Sequence, residues 1–326
     1  MVERPPTAAD IAAAAERLAG VAVRTPLINA PVLDERVGAR VFLKAETLQR
    51  TGTFKFRGAY NKIASIPPAK RAAGVVAYSS GNHAQGVAAA ARLLGLRATI
   101  VMPSDAPTAK RARTEALGAE IVPYDRDRED RAAIAGKIAR ERGATLVPPY
   151  DDPLIIAGQG TIGAEIAEDL ARLGLAPDIV LVGASGGGLA AGTALGVKAK
   201  APSADIYIVE PEGFDDTLRS FASGRRETNA RMSGTICDAL MTATPGALTF
   251  PITRALIGQS FTVNDAEVAA AVRYAFEELK LVVEPGGAIG LAALLAGKLD
   301  VKGKVVVGIL SGGNVDAELF AKLIAG

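Results

Sequence analysis

Ile179-Val180-Leu181-Val182-Gly183-Ala184-Ser185-Gly186-Gly187-Gly188-Leu189 opens a run of 19 uncharged residues, 179–197. The run is long enough to cross a membrane, but six glycines interrupt it (183, 186, 187, 188, 192 and 196), three of them adjacent. Adjacent glycines break a helix through the backbone freedom they must give up. The stretch therefore reads as a buried strand, a glycine loop and the first turns of a helix. Outward from it the same rhythm recurs. Apolar segments at 74–78, 98–102, 120–122, 206–209 and 305–310 read as strands, and 84–94, 106–117, 127–142, 161–173, 190–200 and 265–279 as helices. Thr7-Ala8-Ala9-Asp10 is the start of a capped helix that Gly20 closes. Strands this apolar are covered on both faces, which defines an α/β fold of open, mostly parallel sheets flanked by helices.

Composition narrows the chemistry. A chain of 326 residues suggests two domains, and no polar linker separates them. The 37 Lys and Arg residues balance 35 Asp and Glu, so no basic stripe awaits nucleic acid. A single cysteine, Cys237, leaves no internal disulfide and no cysteine-built zinc site. A lone histidine, His83, removes any His-pair metal site. The opening Met1-Val2-Glu3-Arg4-Pro5-Pro6 lacks a signal-peptide layout, so a cytoplasmic protein without a membrane partner is expected.

Glycine is enriched to about 11% of the chain against a typical value of about 7%. The excess collects at four predicted strand ends: Ser79-Ser80-Gly81-Asn82, Ala184-Ser185-Gly186-Gly187-Gly188, Glu284-Pro285-Gly286-Gly287 and Ser311-Gly312-Gly313-Asn314. Ligands of open α/β sheets bind beyond the carboxyl ends of strands, so the four loops are expected to converge on one site. In the second loop, bare amides at a helix N-terminus suit an anion. No Gly-Lys-Ser/Thr follows, which argues against nucleotide hydrolysis. Gly186, Gly188 and Ala191, with Glu210 ending the next strand, also make a loose dinucleotide fingerprint. A nicotinamide-dependent oxidoreductase is thus an alternative, but it leaves the other three loops idle.

In Thr51-Gly52-Thr53-Phe54-Lys55-Phe56-Arg57-Gly58, Lys55 sits between two phenylalanines at the apparent start of a helix. An apolar setting lowers a lysine pKa and makes the amine nucleophilic. The alternative is an ordinary helix-entry lysine with its charge in water.

This segment resembles the cofactor-lysine motif of the pyridoxal-phosphate enzymes of the tryptophan-synthase-β type, and within them the threonine/serine dehydratase and serine racemase family. The resemblance covers nearly the whole chain in order, with stations at 51–61, 79–86, 149–163, 185–189, 210–216, 284–288 and 311–314. It implies pyridoxal 5'-phosphate held by Lys55 as a Schiff base, the same amine later serving as base at Cα. The resemblance also implies that Ser185, Gly186, Gly187, Gly188 and Leu189 wrap the cofactor phosphate. Asn82 would bond the ring hydroxyl, Phe54 lie near the ring and Ser311 face the pyridine nitrogen. Ser79, Ser80, Gly81, Asn82 and His83 would grip the substrate carboxylate, His83 in a positioning role. A serine at the ring nitrogen carries no charge and enforces no pyridinium, so the electron sink is weak. Prompt expulsion of a β-hydroxyl is then the natural outlet.

The expected reaction is β-elimination of L-threonine or L-serine to a 2-oxo acid and ammonia. Serine racemase is the alternative: Ser80 stands where racemases of the family keep an acid/base opposite the lysine, although it reads equally as a turn hydroxyl. The segment 242–250 looks more like bacterial dehydratases. Glu210 and Asp216, with the Phe214 carbonyl, match the family's divalent-cation site and suit Mg²⁺ or Ca²⁺; the alternative is a solvated acidic turn. Arg131 reads first as a charge on an exposed helix face. Family members can place an arginine near the distal end of the substrate, which keeps 3-hydroxyaspartate in play. The implied architecture is a large cofactor domain from 1–65 and 151–326 with a small closing domain at 66–150. A homodimer is expected, and a C-terminal regulatory domain is not.

Overall fold

The computed structural model describes residues 4–106 and 108–326; the part of the leader reading that rests on Met1, Val2 and Glu3 lies outside the described residues. The strands are β1 Leu27–Asn29, β2 Arg40–Ala45, β3 Val75–Tyr78, β4 Ala98–Pro103, β5 Glu120–Tyr124, β6 Thr145–Leu146, β7 Ile179–Gly183, β8 Asp205–Pro211, β9 Gln259–Val263 and β10 Val305–Leu310. Among the described residues they form two sheets. The larger runs β1-β2-β10-β7-β8-β9 and the smaller β5-β4-β3-β6. Every neighbouring pair is parallel except β1 with β2. Because β10 inserts between β2 and β7, both ends of the chain build the larger sheet. The expected α/β class with flanking helices is what the chain adopts.

Apolar content explains which strands are plain in the sequence. All five residues of β7 are buried, as a strand covered on both faces must be. β2 is hidden by Arg40 and Lys44. Lys44 is nevertheless fully buried, its Nζ donating to the Thr25 carbonyl at 2.7 Å and to Glu165 Oε2 at 2.6 Å. β9 lies at the sheet edge, and its polar Gln259, Ser260 and Thr262 disguise it.

Two helices begin elsewhere than their charge pattern suggests. The helix foreseen at 127–142 is Arg131–Arg142, because the Asp130 carboxylate caps it by accepting from the Ala132 and Ala133 amides. The helix foreseen at 161–173 is Pro153–Arg172, capped by Asp152. Its small residues let it lie against the helix Gly188–Lys198 at backbone distance: a Cβ on Gly163 would fall 2.3 Å from the Thr193 carbonyl. This contact braces the helix that follows the triple-glycine loop.

A buried ionic cluster anchors the helix Lys55–Ala64. Arg57, 1% exposed, donates to Glu46 (2.8 and 2.8 Å), Glu165 (2.7 and 2.9 Å) and Thr161 Oγ1 (3.1 Å). Burying an arginine costs several kcal/mol unless its donors are met, and here carboxylates meet them. The cluster ties the end of β2 and the Pro153–Arg172 helix to the turn carrying Lys55.

Candidate active site

The four glycine loops do converge. Residues 79–83, 184–189, Glu284 and Ser311 line one pocket between the two sheets, together with Phe54 and Lys55. Gly286, Gly287 and the segment 312–314 stand behind this lining.

Lys55 enters from a turn bent by left-handed Thr51 (φ 62) and Gly52 (φ 70). Its start is held by the Phe54 amide on the Ser311 carbonyl (3.1 Å). The Nζ donates to the Pro149 carbonyl at 2.8 Å and lies 5.0 Å from the centre of the Phe54 ring. Burial pushes the amine down from 10.5 to about 8, with Glu284 pulling the other way. The ordinary solvated lysine is excluded.

The glycine bend is built for an anion. Gly187 is left-handed (φ 89), the helix behind it has no side-chain cap, and among the described residues the amides of 185–189 donate to no protein acceptor. Unpaired amides at a helix N-terminus are what a phosphate needs. Tyr150 packs against the bend so closely that a Cβ on Gly186 would meet its ring carbons at 2.4 Å. Gly186→Ala is therefore expected to cost about 1–3 kcal/mol through overpacking, read as a lowered melting temperature and weakened retention of the bound anion. The Ser185 hydroxyl bonds to that of Thr242.

A second set of bare amides faces the first. The helix Asn82–Leu93 also lacks a side-chain cap, and the amides of Ser80, Asn82 and His83 donate to no protein acceptor among the described residues. Ser79 Oγ accepts from the Gly81 amide at 3.2 Å and sets the turn. The His83 imidazole is 2% exposed, and its Nε2 bonds to the Val147 carbonyl at 2.9 Å. Burial first, then Lys55, lowers its pKa to about 3, so the ring is neutral and turned into the core. Its Nδ1 is buried without a hydrogen-bond partner among the described residues.

Arg131 corrects the reading of an exposed-face charge. It lines the pocket, its guanidinium 5.7 Å from the centre of the Tyr78 ring, and among the described residues no carboxylate pairs with it. Lys110, from the helix Thr108–Ala116, forms an ion pair across the pocket with Asp238. Glu210 and Asp216 lie apart from the pocket and are buried, which overturns the solvated acidic turn. Glu210 accepts from the Thr217 and Leu218 amides and Ser260 Oγ, each at 2.9 Å. Burial and then Asp216 raise its pKa to about 7. A carboxylate so enclosed is closed to a ribose.

Two pocket residues, Lys110 and Asp238, lie in no motif, and Tyr150 and Thr242, though within the segments 149–163 and 242–250, are given no role of their own by the sequence. Glu284 belongs to one of the four glycine loops, yet nothing in its neighbours assigns it a role. Its carboxylate accepts from Asn82 Nδ2 at 2.7 Å, and burial, then Asp238, raises its pKa to about 7.

An amine of low pKa beside an anion cradle, at strand ends between two α/β units, defines an enzyme that binds a phosphorylated carbonyl compound. Residues 18–312 match the model of the pyridoxal-phosphate dependent enzymes, and the chain belongs to that family. It is 48% identical to an L-threo-3-hydroxyaspartate ammonia-lyase of Pseudomonas sp over 97% of this chain and 98% of that one. It is 40% identical to a serine racemase of Schizosaccharomyces pombe over 98% of each. A crystal structure of a T.th. threonine deaminase superposes with a TM-score of 0.89 at 43% identity, over 95% of this chain and 99% of that one. The dinucleotide reading is thereby overturned. Pyridoxal phosphate is the cofactor of the family, and the residues here fit it: a lysine amine, a phosphate cradle and the Asn82 amide share one pocket. No helix among the described residues is long and apolar enough to cross a membrane.

Proposed function

We propose that this enzyme is an ammonia-lyase for β-hydroxy amino acids and that L-threo-3-hydroxyaspartate is its preferred substrate. Arg131 carries the reading. A guanidinium facing the pocket without a carboxylate partner is a receptor for a second carboxylate on the substrate, and such charge-assisted, two-pronged bonds are strong. Its relatives in the hydroxyaspartate lyases point the same way. L-Serine and L-threonine, the substrates that the sequence puts first, would use the remaining residues without that contact. Comparing kcat/KM for the three tests the reading, which fails if hydroxyaspartate does not exceed the other two.

Bound pyridoxal phosphate supplies the electron sink that makes a Cα proton removable. The chain does the rest. The amides of 185–189 hold the phosphate, and Asn82 and Ser311 orient the ring. The amides of Ser80, Asn82 and His83 receive the substrate α-carboxylate, with Ser79 and Gly81 shaping their turn. The Lys55 amine, its pKa lowered by burial to about 8, takes the Cα proton in its neutral form. Loss of the β-hydroxyl leaves an enamine that water converts to a 2-oxo acid and ammonia.

A second activity rests on Ser80. Its hydroxyl bonds to no protein group among the described residues, leaving it free to exchange a proton on the substrate. Measuring D-serine beside pyruvate from L-serine tests this. Ser80→Ala is expected to cut racemisation by about a hundredfold, as removal of a general acid does, and to cut elimination much less. Equal losses would identify a carboxylate-binding turn hydroxyl instead.

We also propose a divalent cation at Glu210, Asp216 and the Phe214 carbonyl. Asp216 Oδ2 is buried without a hydrogen-bond partner, and an oxygen donor set of this kind suits Mg²⁺ or Ca²⁺. Asn229 Nδ2 links Asp216 Oδ1 (2.7 Å) to the Thr242 carbonyl (2.9 Å), and Thr242 bonds to Ser185 of the cradle. Chelation is therefore expected to lower turnover severalfold and Mg²⁺ to restore it. Unchanged turnover in chelator rules the site out as an activator. Residues 66–150 are proposed to close as a small domain upon a large one of 1–65 and 151–326. A homodimer is the proposed assembly, to be checked by sedimentation.

A further inference from the structure

Glu284 at the pocket wall and Asn314 behind it meet in one hydrogen-bond chain. Asn314 Nδ2 donates to the Thr51 carbonyl and to Asn82 Oδ1, both at 2.8 Å. Asn82 Nδ2 in turn donates to Glu284 Oε1 at 2.7 Å. Amide orientation is a matter of which partners accept and which donate. Both Asn314 hydrogens are committed, so the Asn82 oxygen must face Asn314. The Glu284 carboxylate is an acceptor, so the Asn82 nitrogen must face Glu284. A flipped Asn82 would set nitrogen against nitrogen and oxygen against oxygen. Its oxygen is therefore taken, one N–H is taken, and the other N–H is left over.

The glycines of the loop make room for this chain. A Cβ on Gly312 would stand 2.4 Å from Glu284 Oε1, and one on Gly287 would stand 2.3 Å from the Gly312 carbonyl. The Glu284 amide donates to that same carbonyl at 3.0 Å. Backbone and side chain of Glu284 are thus both seated by a glycine that nothing larger can replace without a shift.

We propose that Glu284 and Asn314 are positioning residues that lock the Asn82 amide in one orientation and aim its remaining N–H at the ring hydroxyl oxygen of bound pyridoxal phosphate. The inference rests on Asn82 being the contact of that oxygen and is independent of which amino acid the enzyme consumes. A lone aimed donor favours the oxygen in its anionic form, since hydrogen bonds to a charged acceptor are the stronger ones. Glu284 Oε1, 2.7 Å from Asn82 Nδ2, is the acceptor that holds this orientation.

The test compares holoenzymes. Wild type, Asn82→Ala, Asn314→Asp, Glu284→Gln and Glu284→Leu are loaded with pyridoxal phosphate and followed by their visible spectrum and by cofactor retention on dialysis. Asn314→Asp keeps the size of the side chain but turns donors into acceptors, and Glu284→Leu removes the acceptor. Each is expected to weaken retention roughly tenfold, the effect of one misdirected buried hydrogen bond, and to displace the visible band in the direction that Asn82→Ala does. Glu284→Gln keeps an oxygen for Asn82 and is expected to stay near wild type in retention, which a general loosening of the loop would not produce. Wild-type spectra and retention in Asn314→Asp and Glu284→Leu, with Asn82→Ala altered, would overturn the inference alone. If Asn82→Ala is also unaltered, the reading of Asn82 falls with it. Melting curves of the same samples separate misfolding from misalignment, and should Glu284→Leu fail to fold, Asn314→Asp decides alone: a wild-type band and wild-type retention there overturn the inference.

Discussion

Lys55→Ala is expected to abolish the visible band of the cofactor-loaded enzyme and to lower turnover by at least about 10⁴-fold, the scale on which nucleophile and general base are lost together. No other amine replaces it. The remaining pocket lysine, Lys110, is committed to Asp238 on the far side. The same amine sets a pH signature. Held at about 8 by burial, it is protonated and unreactive below that value and neutral above it. Uptake of pyridoxal phosphate by the apoenzyme should therefore accelerate as pH rises through about 8, rather than through the 10.5 of a solvated lysine. A midpoint above 10, or residual turnover in Lys55→Ala, would remove the chemical centre of the proposal.

Arg131→Ala is expected to lower kcat/KM for L-threo-3-hydroxyaspartate by about a hundredfold, with L-serine changed only a few-fold. The magnitude follows from deleting a charge-assisted pair and leaving a carboxylate in a partly desolvated pocket. Arg131→Lys is informative beside it. A lysine keeps the charge but loses the planar fork, so recovery should be partial. Equal losses on all three substrates would show that Arg131 supports the fold through Tyr78 and does not read the distal end.

Much of this site is legible in the sequence because its chemistry is local. The cradle amides belong to consecutive residues, and a strand, a glycine bend and a helix in succession suffice to point them at an anion. Lys55 between two phenylalanines declares its apolar setting within three residues. The partners of these groups are not local. Asn82 and Glu284 are separated by 202 residues, and Asn82 and Asn314 by 232. The same distance in sequence hides β2, whose two cations argue against a buried strand until Glu165 is seen beside Lys44. His83 shows another non-local property: its ring is buried and bonded to the Val147 carbonyl, 64 residues away.

Periodicity was enough to indicate the α/β class, glycine placement an anion-suited bend, and two flanking phenylalanines an apolar setting for Lys55, since each depends on neighbours a few residues away. Which cation lines the pocket, whether an acid is enclosed or wet, and how the Asn82 amide is turned were decided only when remote segments came together. Those properties belong to an environment rather than to a residue. Burial and hydrogen-bond partners set them, and both are supplied by parts of the chain that sequence spacing does not connect.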